Sequence, residues 1–99
     1  MTSRSGAIGR VEQAFDSGAF LDLLKRRVEI PSTSQEPERA ADLERYLTED
    51  IGPSLAADLG VAWEVLPNPE AAGPLLIGER HEGDGLPTVL VYGHGDTVR

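Results

Sequence analysis

Gly60 divides the chain into two stretches whose apolar residues recur with different periods, and this change of period constrains the fold more than any other feature. Upstream the spacing is helical. Phe20, Leu23, Leu24 and Val28 fall at i, i+3, i+4 and i+8, with Asp22, Lys25, Arg26 and Arg27 largely off the stripe. Ser17 or Asp16 is suited to cap the start of this helix. Pro31 ends it, because the residue before a proline is driven out of the α region. Ile30-Pro31-Ser32-Thr33-Ser34 is then a loop. A second helix is expected from about Glu36, with Pro37 in its first turn. Its stripe runs through Ala40, Leu43, Leu47, Ile51, Leu55 and Leu59. Gly52-Pro53 lies inside that stripe and predicts a kink or break, and Gly60 is a suitable C-terminal stop.

Downstream of Gly60 the pattern is that of strands. Val61–Leu66 is one, closed by Pro67-Asn68-Pro69. Leu75–Arg80 is a second. After a Gly83-Asp84-Gly85 turn, Thr88-Val89-Leu90-Val91-Tyr92 is the strongest strand pattern in the chain. The last two are expected to pair as a hairpin. The fold class is therefore α/β, an incomplete layered sheet with two N-terminal helices and then about three strands including a hairpin. A final strand with nothing over it is a sticky edge.

Composition narrows the function. The chain has 99 residues, short enough that its buried surface alone leaves it marginally stable and raises the expectation that it is part of something larger. The formal net charge of −8 argues against a nucleic-acid partner. Twelve of the seventeen acids fall between residues 35 and 84, opposed there by Arg39, Arg45 and Arg80, which reads as the solvated face of a helix and of loops. There is no cysteine, so no disulfide and no thiolate metal site. The apolar runs are a few residues long, against about 18 for a membrane span. Met1–Gly6 has one base and no apolar stretch behind it, unlike a signal peptide. A soluble, cytoplasmic chain is expected.

One short stretch carries recognisable chemistry, Gly93-His94-Gly95-Asp96, directly after the apolar strand. In extended chain, residues i and i+2 share a side. His94 and Asp96 would then sit together at the carboxyl end of a strand, where open α/β sheets place their sites. A carboxylate there can accept the imidazole Nδ1 proton, fix the tautomer and leave Nε2 free for a metal. Read locally, a His-x-Asp tripeptide is commonplace, and a strand-end histidine is more often an ordinary surface residue. Gly93-x-Gly95 as a phosphate cradle lacks the helix start such a site needs. His81 belongs to the far end of the expected hairpin, roughly 15–20 Å from His94 if both lie in paired strands, and reads as an exposed turn residue. Ser32, Thr33 and Ser34 read as turn and capping residues rather than nucleophiles. Trp63 reads as core or half-buried sheet, and Tyr92 as packing beneath the site.

The whole order of elements, from about Phe20 to Val98, resembles the N-terminus of the co-catalytic di-zinc aminoacylases, acetylornithine deacetylases, succinyl-diaminopimelate desuccinylases and glutamate carboxypeptidases. The Gly93-His94-Gly95-Asp96-Thr97-Val98 segment is the specific part, and Ile30-Pro31-Ser32 before a helix supports it. Arg99 stands where many members have proline. The resemblance implies that residues 1–99 are the N-terminal part of a metallopeptidase catalytic domain, without a separate lid or dimerisation domain. It makes His94 a zinc ligand and Asp96 the active-site carboxylate that orients it. It implies two zinc ions in the complete enzyme, although one imidazole suits cobalt or manganese as well. The substrate would be an N-acyl amino acid or small peptide, cleaved at its amide bond with metal-activated water and a glutamate base. A homodimer is a common state of such enzymes. The family's bridging aspartate, glutamate base, further acidic ligands and late histidine have no counterpart in these residues, so this chain alone is expected to be inactive. From another class, a non-catalytic acidic α/β module that binds a protein through its helix stripe or strand edge fits the same pattern.

Overall fold

The computed structural model describes residues 3–70 and 73–97. Val98 and Arg99, at the end of the family-like segment, lie outside the described residues. Helix α1 spans Arg4–Asp16 and α2 spans Ala19–Val28. A 3-10 turn at Pro37–Arg39 leads into α3, Ala40–Arg45, then a π-helical turn at Tyr46–Ile51 and α4, Gly52–Leu59. Strands β1, Ala62–Leu66, and β2, Leu75–Glu79, form a two-stranded antiparallel sheet. The chain is thus mixed α/β, and among the described residues no helix is long and apolar enough to cross a membrane.

The helix expected from Phe20 to Val28 is present as α2, but a further helix precedes it. Ser3 caps α1 by accepting from the Gly6 N–H at 3.2 Å. Neither Ser17 nor Asp16 is the N-cap of α2, which is Gly18, although Ser17 Oγ accepts from the Ala19 N–H at 3.4 Å. With Gly18 (φ 84°) Ser17 forms the corner between the two helices, where its hydroxyl donates to the Ala14 carbonyl at 3.3 Å. Phe15 and Phe20 face each other across that corner with ring centroids 6.5 Å apart. Sequence reading passed over α1 because Gly6 and Gly9 weaken its propensity. Its apolar residues also find little cover: Ile8, Val11 and Phe15 all remain exposed.

The second expected helix is present from Pro37 to Leu59, and the disturbance foreseen at Gly52-Pro53 takes the form of the π turn. Pro53 has no N–H to give to the Glu49 carbonyl and its ring would collide with it. The turn widens instead, so that Gly52 N–H reaches back five residues to the Leu47 carbonyl. Gly60 ends α4 in the left-handed region (φ 64°), its N–H bonded at 3.0 Å to the Ala56 carbonyl. An ion pair from Arg27 to Asp50, 3.2 Å, ties α2 to the π turn. Arg80 adds a second cap at the same C-terminal end of the composite helix, donating to the Leu59 carbonyl at 2.9 Å.

Two expectations about the sheet are corrected. The hairpin joins the first and second strands, with Ala62 opposite Glu79 and Leu66 opposite Leu75, not the second and third. Residues 88–92, the best strand pattern in the sequence, form no ladder among the described residues. They run as exposed chain, with Val89, Leu90, Val91 and Tyr92 each more than four-fifths accessible. A run apolar at every position suits a strand covered on both faces, and a two-stranded sheet offers neither cover. β1, in contrast, is backed by α4. The Trp63 ring lies flat against Gly52, where a Cβ would come within 2.5 Å of it.

The core is thin. Leu43 is the buried large apolar residue among those described, beside the buried polar Ser32 and Thr33. The accessible surface is 8080 Å² for 10.6 kDa, where a folded monomer of that mass exposes about 5,500 Å². The radius of gyration, 15.9 Å, likewise exceeds the ~13 Å of a compact chain of this length.

Candidate functional site

The chemistry-bearing segment is held by the loop after α2. Pro31 stops that helix, and the chain turns through two tight bends, with Ser32 N–H on the Ile30 carbonyl (2.8 Å) and Thr33 N–H on the Pro31 carbonyl (3.0 Å). These bends leave the Ser32 carbonyl, the Ser34 N–H and both serine hydroxyls without local partners. All four engage residues 95–97. Ser32 Oγ donates to the Gly95 carbonyl at 2.5 Å, and Thr97 N–H donates to the Ser32 carbonyl at 2.8 Å. Ser34 N–H donates to Asp96 Oδ1 at 2.8 Å and Ser34 Oγ to Asp96 Oδ2 at 2.7 Å. The bonded residues are 62 to 65 positions apart in sequence, so they form a clasp between the loop after α2 and residues 95–97.

The other side of the clasp is aromatic. The Tyr46 ring, at the first residue of the π turn, lies against Gly95 so closely that any side chain there would overlap it. Tyr92, expected beneath the site, is 86% exposed. The reason is the missing ladder: without a pleated strand through residues 88–92, nothing turns Tyr92 inward.

Asp96 is half-buried, and its carboxyl is held below the ordinary aspartate value of 3.8. The main cause is the Ser34 backbone N–H, followed by the Ser34 hydroxyl; partial desolvation opposes them, and the nearby His94 charge adds a smaller pull downward. Asp96 is therefore an anion anchored on both oxygens. His94 is exposed and makes no hydrogen bond or ion pair among the described residues. Its imidazole is open to solvent, next to a fixed carboxylate. Each oxygen of Asp96 retains a second lone-pair direction beyond its bond to Ser34.

His81 is exposed as expected, but it follows β2 rather than ending a hairpin with residues 88–92. It pairs with Asp84 at 3.2 Å in the turn. Ser32, Thr33 and Ser34 are turn residues with no histidine bonded to them, and Trp63 is half-buried. What sequence reading missed is that the Ser32–Ser34 turn and Tyr46 hold the His94 segment in place. The available signal was a pair of hydroxyls with free backbone groups directly after a helix-ending proline.

As a zinc centre the described residues are incomplete. A catalytic zinc takes about three protein ligands and a water. Among the described residues no three His, Asp or Glu side chains come together to hold a metal. The exposed imidazole of His94 has no bonded partner among the described residues, and the Asp96 carboxylate beside it is bonded by Ser34. No family model, curated protein or solved structure matches the chain.

Proposed function

We propose that this chain is the N-terminal part of a zinc-dependent amidohydrolase or exopeptidase that cleaves the amide bond of N-acyl amino acids or small peptides in the cytoplasm. His94 would supply a metal ligand and Asp96 the carboxylate that orients it. The observation that carries the reading is the clasp. The two segments on which the family resemblance rests, Ile30–Ser34 and Gly93–Thr97, are bonded to each other and leave the His94 imidazole open. The exposed apolar run at 88–92 supports it as well, being a segment whose side chains suit the interior of a larger sheet. The remaining ligands and the general base would come from residues other than these.

The test is to read the coding frame around these residues, express its whole product and assay release of free amino acid from N-acyl amino acids and dipeptides with added Zn²⁺. Activity that is removed by a chelator and lost in His94→Ala is expected, with none from residues 1–99 alone. A product that stays inactive with Zn²⁺, Co²⁺ and Mn²⁺ alike would sink the proposal.

The exposed run also favours a second reading, a non-catalytic module whose 88–92 segment adds to a partner's sheet. A sharp thermal transition of the monomeric chain would favour the module; broad melting with strong dye binding favours the enzyme part.

A further inference from the structure

We propose that Ser32 and Ser34 are positioning residues for His94, fixing the place of its imidazole through the backbone and carboxylate of residues 95–97 rather than by touching it. Three features of the clasp carry this. It engages three consecutive residues immediately after His94, by the Gly95 carbonyl, the Asp96 carboxylate and the Thr97 N–H. Both of its serines lie in a turn already constrained by Pro31 and by the Ser32→Ile30 and Thr33→Pro31 bonds, so the anchor is stiffer than the segment it holds. Ser32 is 4% exposed, which shields its bonds to Gly95 and Thr97 from competing water, and Ser34 is half-buried. On the opposite side the Tyr46 ring closes on Gly95. Residues 88–92, by contrast, run exposed up to Gly93. The hold on His94 therefore comes almost wholly from its C-terminal side.

Two serines in a turn 60 residues upstream thus decide where an exposed imidazole stands. For metal affinity this rests on the metallohydrolase reading; for the position of the ring it does not. Groups behind a metal ligand usually change affinity about 10- to 100-fold when lost, and Ser34, acting through Asp96, belongs at the lower end of that range.

The experiment uses the full 99-residue chain, with the ring resonances of His94 and His81 followed by NMR at fixed neutral pH, alone and during titration with Zn²⁺. His81, paired with Asp84 in an exposed turn, is the internal control. In Ser34→Ala and Ser32→Ala the His94 resonances are expected to move toward unstructured values while those of His81 stay. Weak Zn²⁺ binding at His94 should weaken further, by about 10-fold, and Ser34→Thr should restore both. Far-ultraviolet circular dichroism confirms that the helices persist. If amide exchange at Thr97 quickens in Ser34→Ala while the His94 resonances and Zn²⁺ affinity stay as in the parent, the clasp is only structural and the inference is overturned. If Zn²⁺ leaves His94 of the parent unshifted, it is the metal-ligand reading that fails, and the serine variants still decide the positioning from the ring resonances.

Discussion

At the residue scale, the Asp96 carboxylate shows how a short polar motif acquires its meaning from a distant partner. An aspartate in a glycine-flanked loop has no reason of its own to titrate low. The two Ser34 donors supply that reason by bonding the charged form. Because the folded value lies below the unfolded one, the clasp is at full strength above the ordinary aspartate range and is lost as pH falls through the lowered value. The Ser34 amide resonance should accordingly titrate with a midpoint below 3.8, and Asp96→Asn should remove the step. A midpoint at or above 3.8 would falsify this account of the clasp. The expected imidazole bond to Asp96 is not made among the described residues; what was legible in the sequence is that His94 and Asp96 lie close on one short segment. Their anchors were not, since serines after a proline look the same whether they end a helix or grip a segment 60 residues away.

At the element scale, local chemistry determined most boundaries. Pro31, Pro53 and Gly60 act through their own rings or dihedrals, and each disturbance falls where the sequence placed it. The form of the disturbance at Gly52-Pro53 was open, because a kink, a break and a π turn all relieve the same missing bond. Packing selects among them: Gly52 without a side chain lets the Trp63 ring lie on the composite helix, joining α4 to β1. Gly52→Ala should push the ring away and destabilise that junction by about 1–3 kcal/mol. Trp63 is the single tryptophan, so a red-shifted emission maximum and greater quenching by iodide would report it. An unchanged spectrum would mean the ring does not rest on Gly52. Strand pairing was the least legible feature. Which of three apolar segments pair depends on the layers available to cover them, and no residue pattern within a segment encodes that.

At the scale of the whole molecule, surface dominates. With 8080 Å² accessible and Val89–Tyr92 standing in solvent, the chain has the sticky edge that apolar strands present when no neighbour pairs with them. It should bind a hydrophobic dye and associate at high concentration. Leu90 is the most exposed of this run, at 93%, so Leu90→Lys should reduce dye binding and light scattering with helical circular dichroism unchanged. Unaltered association would shift the sticky surface elsewhere, with the exposed Ile8, Val11 and Phe15 of α1 as the alternative.

By itself the sequence determined the α/β class, the span of the second and third helical regions, the stop at Gly60 and the closeness of His94 and Asp96 along one short segment. These follow from side-chain period, proline and glycine dihedrals and separations of a few residues, all of which act within a turn or two of chain. Only the tertiary structure decided that β1 pairs with β2, that residues 88–92 stay outside the sheet, and that Ser32, Ser34 and Tyr46 hold the His94 segment. Those outcomes depend on which groups distant in sequence can satisfy one another's hydrogen bonds and cover one another's apolar surface.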